Sequence, residues 1–474
     1  MTRALLLTCS VALLASACSG DPPAAPLDGG AQVDRPTPVD TGGDTGGDTG
    51  VAVDTGLVDA GPAVDAGDAG LVDSGGGDAV VPSDGPRPTG TWCDLPVPRG
   101  GEVPSAIRVP DGFCIRRFAL ADTTTSPREI PLTPRVLAFA PSGELFVSSP
   151  STGTPGGSPQ GRGAIVRLTD SNFDGLADTT APTATTFLGR VDSVHGLLFS
   201  NGFLYYTVDD AVMRLPYQPG DVTARAPVAQ HDVVAELDFQ RWTHTLAQGT
   251  DGSIYVSMGQ YDVSTCPAPN PRQGSVLRVG GTAPRAGETI AVGFRNPMYL
   301  RCKAWGACYA MELTHDGWGG IGGTEKLVEL RRGDDYGFPC CIERGRVVPG
   351  VQNATARCAA VTADVQQYRL QDTPFGFDWA PSSWPAPYAG SFFGGFHGAV
   401  GSWVNAGVRW APVDTSTHRP NRAVEFFVSG FGRTDSVSGQ RVADLVFAPD
   451  GRMFFSDDQA GAIYWVAPRN LAIR

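Results

Sequence analysis

Apolar and polar positions alternate in short runs along the C-terminal four-fifths of the chain, and the same turn closes several of these runs. Leu137-Ala-Phe-Ala-Pro-Ser-Gly-Glu-Leu-Phe-Val-Ser149 reads as strand, turn, strand. The pattern returns in Gly196-Leu-Leu-Phe-Ser-Asn-Gly-Phe-Leu-Tyr-Tyr-Thr-Val208. It returns again in the stretch from Arg241 to Gly259, around Asp251-Gly252, and in Leu445-Val-Phe-Ala-Pro-Asp-Gly-Arg-Met-Phe-Phe-Ser-Asp-Asp458. Ile290 to Glu312 and Pro387 to Trp403 are looser copies. Copies spaced by about 45–60 residues are the mark of four-stranded blades, and about six fit between Trp92 and the C-terminus. The expectation is an all-β, six-bladed β-propeller over 91–474, with disulfide-stapled loops and a disordered tether before it. A β-sandwich would leave the recurrence of one turn after one strand unexplained.

The segment ahead of the propeller has no such pattern. Met1-Thr-Arg3, an apolar run from Ala4 to Ala15 and Ser16-Ala17-Cys18 have the form of a secretory signal whose core is too short to span a bilayer. The Cys after Ala-Ser-Ala resembles a bacterial lipoprotein site. Residues 1–18 are therefore expected to be the signal and Cys18 the lipidated residue, tying an exported protein to a membrane surface of the cell envelope. From 19 to 90 the chain is Asp, Gly, Pro, Val, Ala and Thr, too poor in large apolar groups to offset its ordering entropy. Thirteen Asp against Arg35 and Arg87 leave this tether at −11, most of the chain's −13. The folded part is thus near neutral. No wide basic surface is present, which argues against nucleic acid as a partner.

Beyond Cys9 and Cys18, eight of the ten cysteines fall in the propeller region, an even number with no CxxC pair. Disulfides are expected from that count in an exported chain. Cys93 would pair with Cys114 and Cys302 with Cys308; Cys266, Cys340, Cys341 and Cys358 would pair among themselves in an order the spacing leaves open.

Inner strands of a propeller start at one shared end, so residues just ahead of each repeat converge. Those residues are Arg135, His195, Arg241 with His244, Arg295 with Asn296, His397 and Arg441. Cations gathered at one mouth repel unless an anion or counter-residues offset them, and Arg holds carboxylates bidentately. A polyanionic small molecule is the expected ligand. Separately, Asp170-Ser-Asn172-Phe-Asp174-Gly-Leu-Ala-Asp178 has the oxygen spacing of an EF-hand-type calcium loop, with Ala181 where the bidentate Glu would stand. Asp170, Asn172, Asp174 and Asp178 are the expected metal ligands.

Gly293-Phe-Arg-Asn-Pro297, the region Glu312, Glu325 and Gly333-Asp-Asp-Tyr-Gly-Phe-Pro339, Phe396-His-Gly398 with Ser402-Trp403, and Phe455-Ser-Asp-Asp-Gln-Ala-Gly-Ala-Ile-Tyr464 resemble the glucose/sorbosone dehydrogenase family, in that family's order. The resemblance runs from about Cys114 to Val466. It implies a six-bladed propeller that binds pyrroloquinoline quinone (PQQ) and calcium, oxidises a sugar or polyol, and passes the electrons to an acceptor the residues do not identify. A His on an inner strand would take the hydroxyl proton while hydride passes to the quinone. Arg295 and Asn296 match the family's cofactor contact, and Arg135, His195, His397 and Arg441 match channel positions. The chain departs from the family where His-Trp-Thr-Arg is usual, for here the frame reads Arg241-Trp-Thr-His244. Arg stays protonated at neutral pH, so either His244 takes the role of base, with Arg241 holding the cofactor, or the base is lost. His-Gly-Ser-Trp is likewise interrupted as His397-Gly-Ala-Val-Gly-Ser-Trp403. Two other functions are compatible with the pattern. One is a propeller, monomeric or dimeric, that binds a sugar or anion without turnover. The other is a metal-dependent propeller hydrolase, which needs a Glu-Asn-Asp calcium centre on an axis here occupied by Arg and His.

Overall fold

A computed structural model describes residues 87–120, 133–150, 163–178, 185–191, 193–238, 241–261, 265–317, 322–399, 402–432 and 440–473. The signal, Cys18 and the tether up to residue 86 lie outside them.

Six four-stranded antiparallel sheets make up the fold. The first is built from Leu137–Phe139, Leu145–Ser149, Ala164–Leu168 and Thr185–Gly189, paired in chain order from the axis outward. The inner strands of the next five are Leu197–Ser200, Leu246–Gln248, Asn296–Cys302, Pro374–Trp379 and Val442–Phe447. Each inner strand touches its neighbours, the sixth touching the first, so the ring is closed. The sixth blade borrows its outermost strand from the start of the domain: Phe113–Leu120 pairs with Ala462–Pro468. That pairing joins the two ends of the domain, and Trp92 packs edge-on to Trp465 beside it.

The turn that repeats in the sequence repeats in space for a steric reason. Gly143, Gly202, Gly252 and Gly451 all have positive φ, between 77° and 97°, where a Cβ is disfavoured. Strands behind these turns are covered on both faces by adjacent blades. Met453–Asp457 and Ala462–Pro468 are accordingly buried at every position, as the apolar run of the latter strand requires.

Blade 5 differs from the expected repeat. The looser copy from Pro387 to Trp403 holds that blade's second strand, Phe392–Phe396, and its inner strand is Pro374–Trp379. The connection over 380–391 is long and proline-rich, so the short turn that marks the other blades is missing. Blade 4 carries the largest excursion, over 331–365, with a small hairpin (Cys341–Glu343 with Arg346–Val347) and the helix Thr355–Ala360. Cys341–Cys358 closes this insert, and Cys266–Cys340 ties it to a loop of blade 3. Cys93–Cys114 and Cys302–Cys308 pair as their spacing predicts.

Candidate active site at the propeller axis

Inner-strand starts and second-strand ends share one end of each blade, and all the candidate channel residues lie there. Arg135, Arg441 and His397 come together, and an acidic residue waits between them. Arg441 donates from Nε and Nη2 to the two oxygens of Asp458, at 2.6 and 2.9 Å. Arg135 Nη2 lies 3.0 Å from the same carboxylate. Burial alone would raise the Asp458 carboxyl; the charges of Arg135, His397 and Arg441 outweigh it and hold it far below the usual range. His397 donates from Nδ1 to the carbonyl of Val442 at 2.6 Å, and its Nε2 is 3.6 Å from Asp458. Burial and the Arg441 charge keep that imidazole neutral against the pull of Asp458, so the contact is polar and not an ion pair. Asp458 is the counter-residue that like charges require. Its signals in the sequence are its place at the end of a repeat, in Ser-Asp-Asp458, and within the family-like segment Phe455 to Tyr464.

The two imidazoles of blades 2 and 3 do different work. His244 is fully buried, with Nδ1 2.9 Å from the Ser257 carbonyl and Nε2 3.2 Å from the Asp209 carbonyl. Both partners are carbonyls, which only accept, so the neutral, buried imidazole donates to one of them and the lone pair of its other nitrogen lies against the second carbonyl and not in the open. His195 places Nδ1 3.1 Å from the carbonyl of His244, and its Nε2 meets no protein partner. A carbonyl only accepts, so Nδ1 carries the proton and Nε2 the lone pair. Burial, then the Arg135 charge, push this imidazole down to about 3. It is therefore neutral at pH 7.

Closer to the mouth, Arg241 donates from Nε to the Gln260 carbonyl at 2.7 Å and lies over the ring of Tyr261. Arg241 and Asn296 adjoin across Gly259: a Cβ there would stand 2.9 Å from Arg241 Cδ and 2.6 Å from Asn296 Oδ1. Only a glycine lets those two side chains pack so closely on the backbone. The backbone N–H of Arg295 donates to Glu312 at 2.7 Å. Burial pushes the Glu312 carboxyl up to about 7 against the opposing charge of Lys326. Glu325, accepting the amide of Thr373 at 2.6 Å, is also raised by burial.

The acidic loop at Asp170 lies away from this mouth, docked on the sixth blade, and its side chains turn inward. Asp170 accepts the amides of Asp174 and Gly175, Asn172 that of Asp174, Asp174 that of Leu176, and Asp178 that of Ser171. Arg452 Nη1 sits 3.7 Å from Asp170. Among the described residues no three His, Cys, Asp or Glu side chains are grouped to hold a metal ion.

The molecule is thus a six-bladed β-propeller with a cationic, partly self-neutralised mouth. It shares its fold with the PQQ domain of pyranose dehydrogenase from Coprinopsis cinerea: TM-score 0.59, 16% identity, 79% of this chain and 98% of that one. A Trichoderma reesei carbohydrate-active enzyme of family AA12 superposes with TM-score 0.57 and 17% identity, over 76% of this chain and 97% of that one. A glucose dehydrogenase gives TM-score 0.52 and 14% identity, over 76% and 99%. No protein-family model and no curated protein matches the sequence.

Proposed function

We propose that this protein is a PQQ-dependent dehydrogenase that oxidises a hydroxyl of a sugar or polyol outside the cytoplasm. The observation that carries the reading is the tautomer of His195, a neutral, buried imidazole near the Arg135 charge whose Nε2 meets no protein hydrogen-bond partner. The fold shared with the PQQ domain of pyranose dehydrogenase supports the same class of chemistry. The donor set fits a tricarboxylate by its chemistry: Arg241 and Asn296 adjoin across Gly259, and Arg295 is next to Asn296 in the chain. PQQ, when bound, accepts two electrons from the substrate carbon. Arg241 and Arg295 hold carboxylates, Asn296 orients the group beside them, and His195 takes the substrate's hydroxyl proton on Nε2. His244 is not the base in this scheme; its backbone carbonyl orients His195. Four disulfides support folding in an oxidising compartment after export.

One observation favours a second reading, a binding propeller without turnover. Asp458 already occupies Arg135 and Arg441, so less positive charge is left for a ligand than the count of Arg implies. The two readings separate in one experiment. The full chain is mixed with PQQ and calcium, cofactor absorbance is titrated, and dye reduction is followed over a panel of sugars and polyols. Reduction by wild type that His195→Gln abolishes, with PQQ still bound, supports the dehydrogenase. PQQ binding without reduction by any substrate moves the assignment to the second reading, and no PQQ binding removes the first altogether.

A further inference from the structure

Besides His195 Nε2, buried polar atoms of the two aromatic rings beside it have no protein partner: Trp242 Nε1 and Tyr299 Oη. The three residues are 0%, 5% and 1% exposed and come from three successive blades. Their rings adjoin, with the His195 centroid 5.3 Å from Trp242 and 5.7 Å from Tyr299. Arg135 lies over Trp242 at 5.3 Å and over Phe375 at 5.9 Å, and Phe375 meets Tyr299 edge-on, so the cluster is walled by aromatic rings and one guanidinium. Orphaned polar groups in such a place are expensive to maintain unless something pairs with them.

Their chemistry specifies what fills it. His195 Nε2 is an acceptor, since the proton is on Nδ1. An indole N–H is only a donor, and a phenol can give its proton. A hydroxyl oxygen has one proton to give and two lone pairs to offer, and that inventory matches the three groups one for one. We propose that His195, Trp242 and Tyr299 form a binding site for a single hydroxyl group of a polyol. Its proton is directed at His195 Nε2, and its oxygen accepts the N–H of Trp242 and the O–H of Tyr299. A ketone or carboxylate offers no proton to His195, and an ammonium offers no lone pair to Trp242. The proposal rests on His195 being the acceptor of the reading above and names the two residues that would position its substrate; it does not require the cofactor to be bound.

Crystals of the full chain without PQQ, grown first free of polyol and then with xylitol, test it at a resolution that shows ordered water. A water within hydrogen-bond distance of all three atoms in the first form, replaced by a xylitol hydroxyl in the second, is the expected result. Water in both forms, or an empty space, overturns the proposal. In solution, xylitol should raise the melting temperature of wild type, and Tyr299→Phe and Trp242→Phe should each weaken that protection several-fold; protection that persists unchanged in both variants also overturns it. Failure of PQQ to bind would end the dehydrogenase reading and leave these outcomes untouched, so the two failures are distinguishable.

Discussion

The Nδ1 of His195 is 3.1 Å from the backbone carbonyl of His244, so the residue that fixes one imidazole's tautomer is itself a histidine held on both sides by backbone. His244 thereby acts as a positioning residue. Replacing it with Asn removes the ring that lies between the Ser257 and Asp209 carbonyls and loosens the carbonyl that orients His195. The stability loss should be about 1–3 kcal/mol in chemical denaturation, the cost of one buried carbonyl left unpaired. A purely structural residue would do no more. For a positioning residue, kcat should fall more than KM changes, and the acid limb of the pH profile should move up. The burial that pushes His195 down to about 3 is relaxed, and its pKa returns toward 6.5. An unmoved acid limb would reduce His244 to a structural role.

Asp458 is the centre of the cationic cluster, and its removal should be felt twice. In Asp458→Asn, Arg135 and Arg441 lose the carboxylate they share, and breaking a buried pair from one side costs about 3–5 kcal/mol. The same change leaves two guanidinium groups uncompensated at the mouth. A tricarboxylate, with citrate as the simplest probe, should then raise the melting temperature of the variant by more than it raises that of wild type. Equal responses would mean that Asp458 does not compete with anions for these side chains.

The order in which features were legible follows from how local their causes are. Leu445 to Asp458 reads directly as strand, turn and strand because alternation and the turn glycine at 451 are properties of a dozen consecutive residues. The copy from Pro387 to Trp403 marks blade 5 one strand late because the pairing of its first two strands spans the connection 380–391, whose turn residues are spread along a long loop and not gathered in one short turn. The cationic set was visible as residue types at a repeating phase, whereas Asp458 sits on a second strand and joins the set only when the blade folds. His195 and His244 could not be told apart in the chain. What separates them is which backbone carbonyls face their rings, and that is a matter of inter-blade packing. Trp242 and Tyr299 looked like ordinary strand aromatics for the same reason.

Asp457, next to the cluster, offers a test of the site's electrostatics by pH. Its carboxyl accepts the amides of Gln459 and Ala460 on one oxygen and is unpartnered on the other. Burial pushes it up to about 7, with Asp458 adding to the shift. Because the folded pKa lies above the unfolded one, the native state holds this proton more tightly, and its contribution to stability is full below about pH 4 and lost as pH rises toward 7. Wild type should therefore lose stability relative to Asp457→Asn between pH 4 and 7, with a slope of up to about 1.4 kcal/mol per pH unit, and the difference should level off above 7. Urea titrations of the two proteins at matched pH values measure it. A difference that stays flat across that window would show that Asp457 is ionised in the fold.

Arg452 stands where the acidic loop would otherwise need a cation. Its guanidinium pairs with Asp450 at 2.8 Å, points Nη1 at Asp170 from 3.7 Å, and stacks 3.5 Å over the ring of Trp92. The loop is pinned to the same place by Trp465, whose Nε1 donates to the Gly175 carbonyl at 2.7 Å. With the carboxylates turned onto their own amides and Arg452 supplying positive charge, the wild-type melting temperature should not change on adding a chelator. Arg452→Met keeps much of the packing volume and removes the charge, which leaves Asp170 buried and uncompensated at a cost of about 3–5 kcal/mol. Calcium at millimolar concentration should then recover part of that loss in the variant, because the oxygens of Asp170, Asn172, Asp174 and Asp178 keep the spacing of a calcium loop. Differential scanning calorimetry of both proteins, with chelator and with calcium, decides the matter. A chelator-induced drop in wild type would mean that the loop holds calcium with Arg452 in place, and that the guanidinium is a neighbour of the ion and not its substitute.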